Sequence, residues 1–277
     1  MRVDVGATDK KENNVMADEV KKVKGVVDLV ILLDVTGSMQ PCIDAVKTSI
    51  GSFIGSLSAK DPNNENPVKD WRIKVCGYRD QQQDPANWFV DNPFTRDAAS
   101  VQAQLMAPNM QATSGGDEPE SLLDALYKLA KMEQAGIQDG EAPEKWRARG
   151  TAARIVVFFT DATYKTPMTL PEAAGGSVSD VISALMAAKI IPVGFVPEWS
   201  GYLDLAACDP CEMEAYVKVE TCPAIANLGK SREEGGEAAM QAAIEALKGL
   251  SKDSVGFTKL MKQLVKTVQK SSTVAPC

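Results

Sequence analysis

Asp34, Thr36 and Ser38 stand at alternate positions of one short run, D-V-T-G-S, and offer a carboxylate and two hydroxyls. In an extended loop, side chains two apart point the same way, so the three can converge. Such oxygens are hard ligands. Mg²⁺ takes about six of them, with one or two carboxylates and the rest hydroxyl or water. A second acidic group lies in G-G-D-E-P-E at 115–120, which carries Asp117 and Glu120. Its glycine pair permits a tight backbone path, and Pro119 stiffens it. A third carboxylate, Asp161, directly follows the apolar run at 155–160. Alone, D-x-T-x-S is also how a helix begins, and Ser38 sits where a capping serine would. Three acidic loops meeting at one edge would instead form an oxygen cage for a divalent cation.

The surrounding sequence supplies elements able to bring those loops together. Residues 26–33 (VVDLVILL) are a dense β-branched and leucine run that ends at Asp34. A continuous run of this kind suits a strand buried on both faces. Met39, Ile43, Val46, Ile50, Phe53 and Leu57 then recur at helical spacing. Residues 61–70 read as a loop, 71–78 as a second strand, and 88–94 as a short proline-bounded edge strand. A short helix is expected over 98–106, another around Leu122, Leu126 and Leu129, and a third over 178–188. Strands are expected at 155–160 and 190–196. Alternation of this kind predicts an α/β fold with a doubly wound, mostly parallel central sheet flanked by helices, Rossmann-like in plan. Ligands of such sheets bind beyond the carboxyl ends of the strands. Asp34 and Asp161 both stand at such an end.

With those residues in place, the chain resembles the von Willebrand factor A (VWA) family. The likeness rests on DVTGSM at 34–39, GGDEPE at 115–120 and FFTDA at 158–162, and its order and spacing hold from about 26 to 196. The family's metal ion-dependent adhesion site, MIDAS, uses a D-x-S/T-x-S loop, a threonine or acidic residue in a second loop, and an aspartate after a later strand. The resemblance implies Asp34, Thr36 and Ser38 as first-loop ligands and Asp161 as the third-loop ligand. The D-x-P-E run is similar to the integrin β version, which maps the second-loop ligand onto Glu120 and leaves Asp117 as an accessory or alternative. Thr113 is a further candidate there. The resemblance also implies a function: a protein-interaction module whose bound Mg²⁺ (or Mn²⁺ or Ca²⁺) is completed by an Asp or Glu of a partner protein.

Composition narrows the alternatives. The chain has 277 residues and no histidine. That removes the commonest general base and the commonest transition-metal ligand. Its formal charge of −7 argues against nucleic acid, whose phosphates demand a Lys/Arg excess. No apolar run reaches the length of a membrane span, and the start of the chain has no apolar signal region, which together predict a cytoplasmic protein. Residues 1–24 read as a flexible arm. The domain is expected over 25–277, with insertions near 135–150 and 199–225, the former polar and on the surface, and two closing helices. Tyr78, Arg79 and Asp80 follow the second strand near the predicted metal face and could shape its rim, though a solvated turn is the plainer expectation, and Cys42 and Cys76 read as small buried apolar groups. Cys208, Cys211 and Cys222 could offer thiolates to Zn²⁺, but a structural zinc site wants four ligands and only Cys277 or Asp209 could supply the fourth. A haloacid dehalogenase-like phosphohydrolase would also place Asp after the first strand, yet it needs an acid two residues on, where Thr36 stands. A scaffold that ignores the metal is the remaining alternative, and no catalytic residue is expected. Nothing in the sequence sets the oligomeric state.

Overall fold

The computed structural model describes residues 25–57, 68–113, 119–136, 139–148, 150–196, 199–206, 265–266 and 268–269. Asp117, Cys208, Cys211, Cys222, Cys277, the 1–24 arm and most of the closing helices lie outside them, as does the side chain of Cys42. The described strands are β1 (Val26–Asp34), β2 (Asp70–Tyr78), β3 (Phe89–Asp91), β4 (Ala153–Phe159) and β5 (Ile190–Phe195), and the helices are α1 (Gln40–Leu57), α2 (Ala98–Met106), α3 (Leu122–Lys131), α4 (Val178–Ala188) and α5 (Ser200–Ala206). They form one sheet in the order β3-β2-β1-β4-β5. All pairs are parallel except the short edge pair of β2 with β3. The fold is the doubly wound α/β architecture that the alternation of elements predicts.

Every residue of β1 is buried, because β1 is the central strand and both of its faces are covered. Leu29, Ile31 and Leu33 pack with Ile43, Val46, Ile50 and Phe53 of α1 and with Val101 and Leu105 of α2. Val30 and Leu32 point to the other face and meet Leu126 and Leu129 of α3 and Val181 and Leu185 of α4. Two cores on one strand explain why its sequence is a continuous apolar run rather than an alternating one. Val265 and Val268 join the α1 face, and Gln269 Nε2 donates to the carbonyls of Ser56 and Leu57 at the end of α1. Among the described residues, no helix is long and apolar enough to cross a membrane. Cys76 is buried and unbonded to another cysteine, as its place in a core strand predicts.

Two polar rows interrupt the α3/α4 face, one at each end of the sheet. At the amino end, Asp28 of β1 sits in register with Arg72 of β2 and Arg154 of β4. All three are buried. Asp28 accepts from Arg72 Nε (3.0 Å) and Nη2 (2.7 Å), and from Arg147 N (2.7 Å) and Nε (2.6 Å). Arg154 donates to the carbonyls of Ala188 and Arg147 and to Gln134 Oε1.

Arg147 belongs to the 135–150 stretch, most of whose described residues are exposed or half-buried as expected of a surface insertion, but which also carries a buried anchor that its composition does not announce. Trp146 is wholly buried. Its indole N–H donates to the Leu129 carbonyl (3.0 Å), and its ring meets Phe94 at 5.2 Å. A single tryptophan inside a polar, proline-containing run carries no periodicity, so the burial leaves no pattern to read. Trp146→Ala is expected to cost about 3–5 kcal/mol of stability, as truncation of a fully buried aromatic does. Urea unfolding followed by circular dichroism measures it, and a loss under about 1 kcal/mol would mean the segment is the surface strap its composition suggests.

Candidate metal centre

The second polar row closes the opposite, carboxyl end of the same face. Asp34 pairs in register with Tyr78. On its other side, β4 ends at Phe159, the partner of Leu33, and Thr160 follows it beside Asp34. The row thus reads Tyr78, Asp34, Thr160. It lies where the sheet order turns, since the chain leaves β1 for β2 on one side and reaches β4 and β5 on the other. That switch point is the ordinary ligand crevice of a doubly wound sheet.

Asp34 is fully buried. Its Oδ1 accepts from Thr36 N (3.0 Å) and Thr36 Oγ1 (2.6 Å), and its Oδ2 accepts from Thr160 Oγ1 (2.7 Å). Thr160 Oγ1 in turn accepts from Ala162 N (3.1 Å), folding the chain just beyond β4 around Asp161. Asp161 is fully buried too. Burial first, and the neighbouring Asp161 charge second, push the Asp34 carboxyl up to about 6 from its usual value near 3.8, against the pull of the Thr36 and Thr160 hydrogen bonds. Asp34 has no ion pair among the described residues.

Glu120 reaches this edge through its backbone. Its N–H donates to the Thr163 carbonyl (3.0 Å), and its carbonyl accepts from Lys165 N (2.8 Å), a short parallel bridge to the chain leaving β4. The second loop is therefore fastened to the third at Glu120, which is buried. Thr113 is exposed, and its N–H donates to the Val35 carbonyl (3.1 Å), fastening the start of the second loop to the first. Ser38 is half-buried in the single 3₁₀ turn Gly37–Met39, whose capping position is Thr36; α1 begins only at Gln40. Ser38 is thus not the capping residue of that turn. Asp34, Thr36, Asp161 and Glu120 all come to the carboxyl edge of the sheet, with Ser38 in the turn that follows Thr36. Asp117 lies outside the described residues.

The last residue of β2 and the two just past it form a buried brace rather than the expected solvated turn. Tyr78, Arg79 and Asp80 are all buried. Arg79 donates to the carbonyls of Asn87 (3.2 Å), Asn109 (3.0 Å) and Gln111 (3.0 Å). Burial holds its guanidinium below the usual arginine value. Asp80 accepts from Gln82 N (2.9 Å) and pairs with Lys165. Together they tie the exit of β2 to the second and third loops. Gly77 completes the arrangement, because a Cβ there would lie 2.9 Å from the Met110 sulfur that packs against it. Thr160 lies inside the FFTDA run, which implies no role for it, and Tyr78 and Lys165 fall outside the three motifs. The register of a parallel sheet would find the first two, since each stands level with Asp34 at the end of a neighbouring strand.

The donor set suits a hard cation. It consists of two buried, mutually repelling carboxylates with hydroxyls close by, all oxygen, which favours Mg²⁺, Mn²⁺ or Ca²⁺ over a thiolate-seeking metal. Among the described residues, no three Asp, Glu, Cys or His side chains cluster to hold one ion, so hydroxyls and water would have to complete the shell.

A scan against protein-family models gives no match, and a search of curated proteins gives none. Among solved structures, the chain is similar to proximal thread matrix protein 1 from the mussel byssus, at 12% identity and a TM-score of 0.43, over 75% of this chain and 47% of that one. It is similar to the human COPII-coat protein Sec24c at 9% identity and a TM-score of 0.40, over 68% of this chain and 28% of that one. It is also similar to the vWF domain of the type V pili tip protein Mfa5 from Porphyromonas gingivalis, at 15% identity and a TM-score of 0.33, over 60% and 51%. The chain thus spans about half or less of the length of each. Likenesses of this size carry no information about ligands.

Proposed function

We propose that this chain is a divalent-cation-dependent protein-interaction module of the MIDAS kind. Asp34, Thr36, Ser38 and Asp161 would hold the ion, with Glu120 or Asp117 joining from the second loop. The observation that carries the reading is the pair of fully buried carboxylates, Asp34 and Asp161, at the carboxyl ends of adjacent strands. A carboxylate held out of water with a second carboxylate near it, as Asp34 is, is stable only when something neutralises its charge. A proton can do so for Asp34 at low pH, and a cation can do so at neutral pH.

When bound, the ion supplies an electrophilic point with an open position for an external oxygen. The chain's own part is to hold it. Thr36 and Thr160 orient Asp34, the Glu120 bridge fixes the end of the second loop, Arg79 holds the 109–111 turn that precedes it, and Asp80 pairs with Lys165 in the third. A partner carboxylate is the fitting ligand for that position. Such a bond is directional, unlike an exposed salt bridge, which is worth about 0–1 kcal/mol. The reading assigns no catalytic residue, since Thr36 offers no acid proton where a phosphohydrolase would need one.

Calorimetric titration of the full chain with Mg²⁺, Mn²⁺ and Ca²⁺ tests the proposal. One saturable site is expected. With that site filled, a peptide carrying a single glutamate should bind, the matching glutamine peptide should not, and chelator should release the first. Absence of cation uptake at millimolar concentration would leave the metal-independent scaffold as the better account.

A further inference from the structure

We infer that Tyr78 belongs to the metal centre as a positioning residue, its buried hydroxyl waiting beside Asp34, Thr160 and Glu120 for a hydrogen-bond partner that arrives with the ion. The inference rests on the metal reading above and goes beyond it, because no D-x-T-x-S, D-x-P-E or F-T-D pattern includes this tyrosine.

Placement comes first. Tyr78 is the last residue of β2 and lies in register with Asp34, the last residue of β1. Its carbonyl accepts from Val35 N (3.0 Å), which locks the two strand ends level at that point. The side chain is fully buried and belongs to the core on the α3/α4 face, the face that also carries Asp34. Asp34, Thr160, Glu120 and Tyr202 are the polar groups that the phenol senses.

The second observation is the state of the hydroxyl. Among the described residues, it makes no hydrogen bond of acceptable geometry. The Thr160 hydroxyl beside it has its one proton committed to Asp34 and already accepts from Ala162 N, so it offers the phenol only a remaining lone pair, and that contact falls short of good hydrogen-bond geometry. Buried tyrosine hydroxyls usually find a partner. The two other buried tyrosines of this region do. Tyr164 donates to the Gly201 carbonyl and Tyr202 to the Ala162 carbonyl, each at 2.5 Å. A buried phenol without a well-formed partner, level with Asp34 at the strand ends, is poised to donate to a water that a cation carries or to a carboxylate oxygen that a cation draws towards it.

A residue kept for packing and one kept for an absent ligand predict opposite responses to the loss of a single oxygen. Tyr78→Phe removes the hydroxyl and leaves the ring. If Tyr78 positions the ion's shell, the metal-free variant melts at or above the wild-type temperature, since an unsatisfied buried hydroxyl is gone. Its Mg²⁺ dissociation constant then rises roughly two- to tenfold, the effect of one lost hydrogen bond. Thermal melts in chelator and calorimetric Mg²⁺ titrations of the full chain read the two quantities separately. A lower metal-free melting temperature, or an unchanged Mg²⁺ affinity, overturns the inference. Failure of the wild type itself to take up Mg²⁺ is a different result: it removes the metal reading on which the inference stands, and it is recorded before the variant is compared.

Discussion

Asp34→Asn melts at a higher temperature than the wild type in chelator, and its melting no longer responds to Mg²⁺. Both halves of this expected result follow from the same electrostatics. In the metal-free fold the Asp34 carboxyl is raised to about 6, chiefly by burial and next by Asp161. A shift of that size corresponds to a cost on the order of 3 kcal/mol for keeping the group ionised at neutral pH. An asparagine of the same shape removes the charge. It keeps an oxygen for Thr36 N and Thr36 Oγ1, and its amide can donate to the Thr160 hydroxyl that now donates to Asp34. The neutral hydrogen bonds are weaker than charge-assisted ones, which returns part of the gain. A net rise of about 1 kcal/mol, or roughly 2–4 °C in a chain of this size, is the expected remainder.

The pH dependence of the difference fixes its cause. A carboxyl with a raised folded-state value binds more protons in the folded than in the unfolded chain, so its contribution to stability falls as pH rises from about 4 to about 6 and is flat above. The asparagine variant lacks that loss. Its advantage over the wild type is therefore absent near pH 4, grows through pH 6, and holds at pH 7. Melting curves in chelator at several pH values measure it. An advantage equal at every pH would assign the effect to packing, and a variant that still gains stability with Mg²⁺ would remove Asp34 from the site.

How much of this could be read from the residues alone depends on which physical signal each feature leaves. The sheet was legible because its strands are buried on both faces, and a run such as VVDLVILL announces that without ambiguity. The 98–106 and 178–188 helices match their predicted bounds, Asp97 capping the first and Ser177 the second. The acidic loops were legible because carboxylates at the ends of apolar runs are rare and conspicuous. What escaped lies where burial is not written in hydrophobicity. Arg72, Arg79, Asp80 and Arg154 look like surface residues in composition, and each is buried because a specific partner satisfies it. Trp146 sits in a polar run for the same reason. Tyr78 shows the subtler gap: its meaning comes from being level with Asp34 across two strands, and strand register is a tertiary fact.

Asp28→Ala is expected to be the most damaging single substitution on β1, with a loss of about 3–5 kcal/mol and no change in Mg²⁺ affinity. Asp28 and Asp34 share a strand, a face and complete burial. They differ in what stands beside them. Asp28 takes hydrogen bonds from two arginines, so its removal strands the Arg72 guanidinium, itself buried, without its counter-charge. Asp34 stands between hydroxyls and near another carboxylate, so loss of its charge relieves the metal-free fold. Urea unfolding of Asp28→Ala, Arg72→Met and the double variant measures the coupling. The double variant should lose clearly less than the sum of the singles, because it leaves no buried arginine opposite an empty place. Simple additivity would mean that the pair is not a compensated unit. Burial would then tell nothing about which aspartate on this strand builds the fold and which is held open for a ligand. Subadditivity, together with a stabilised Asp34→Asn, would show that charge compensation separates the two.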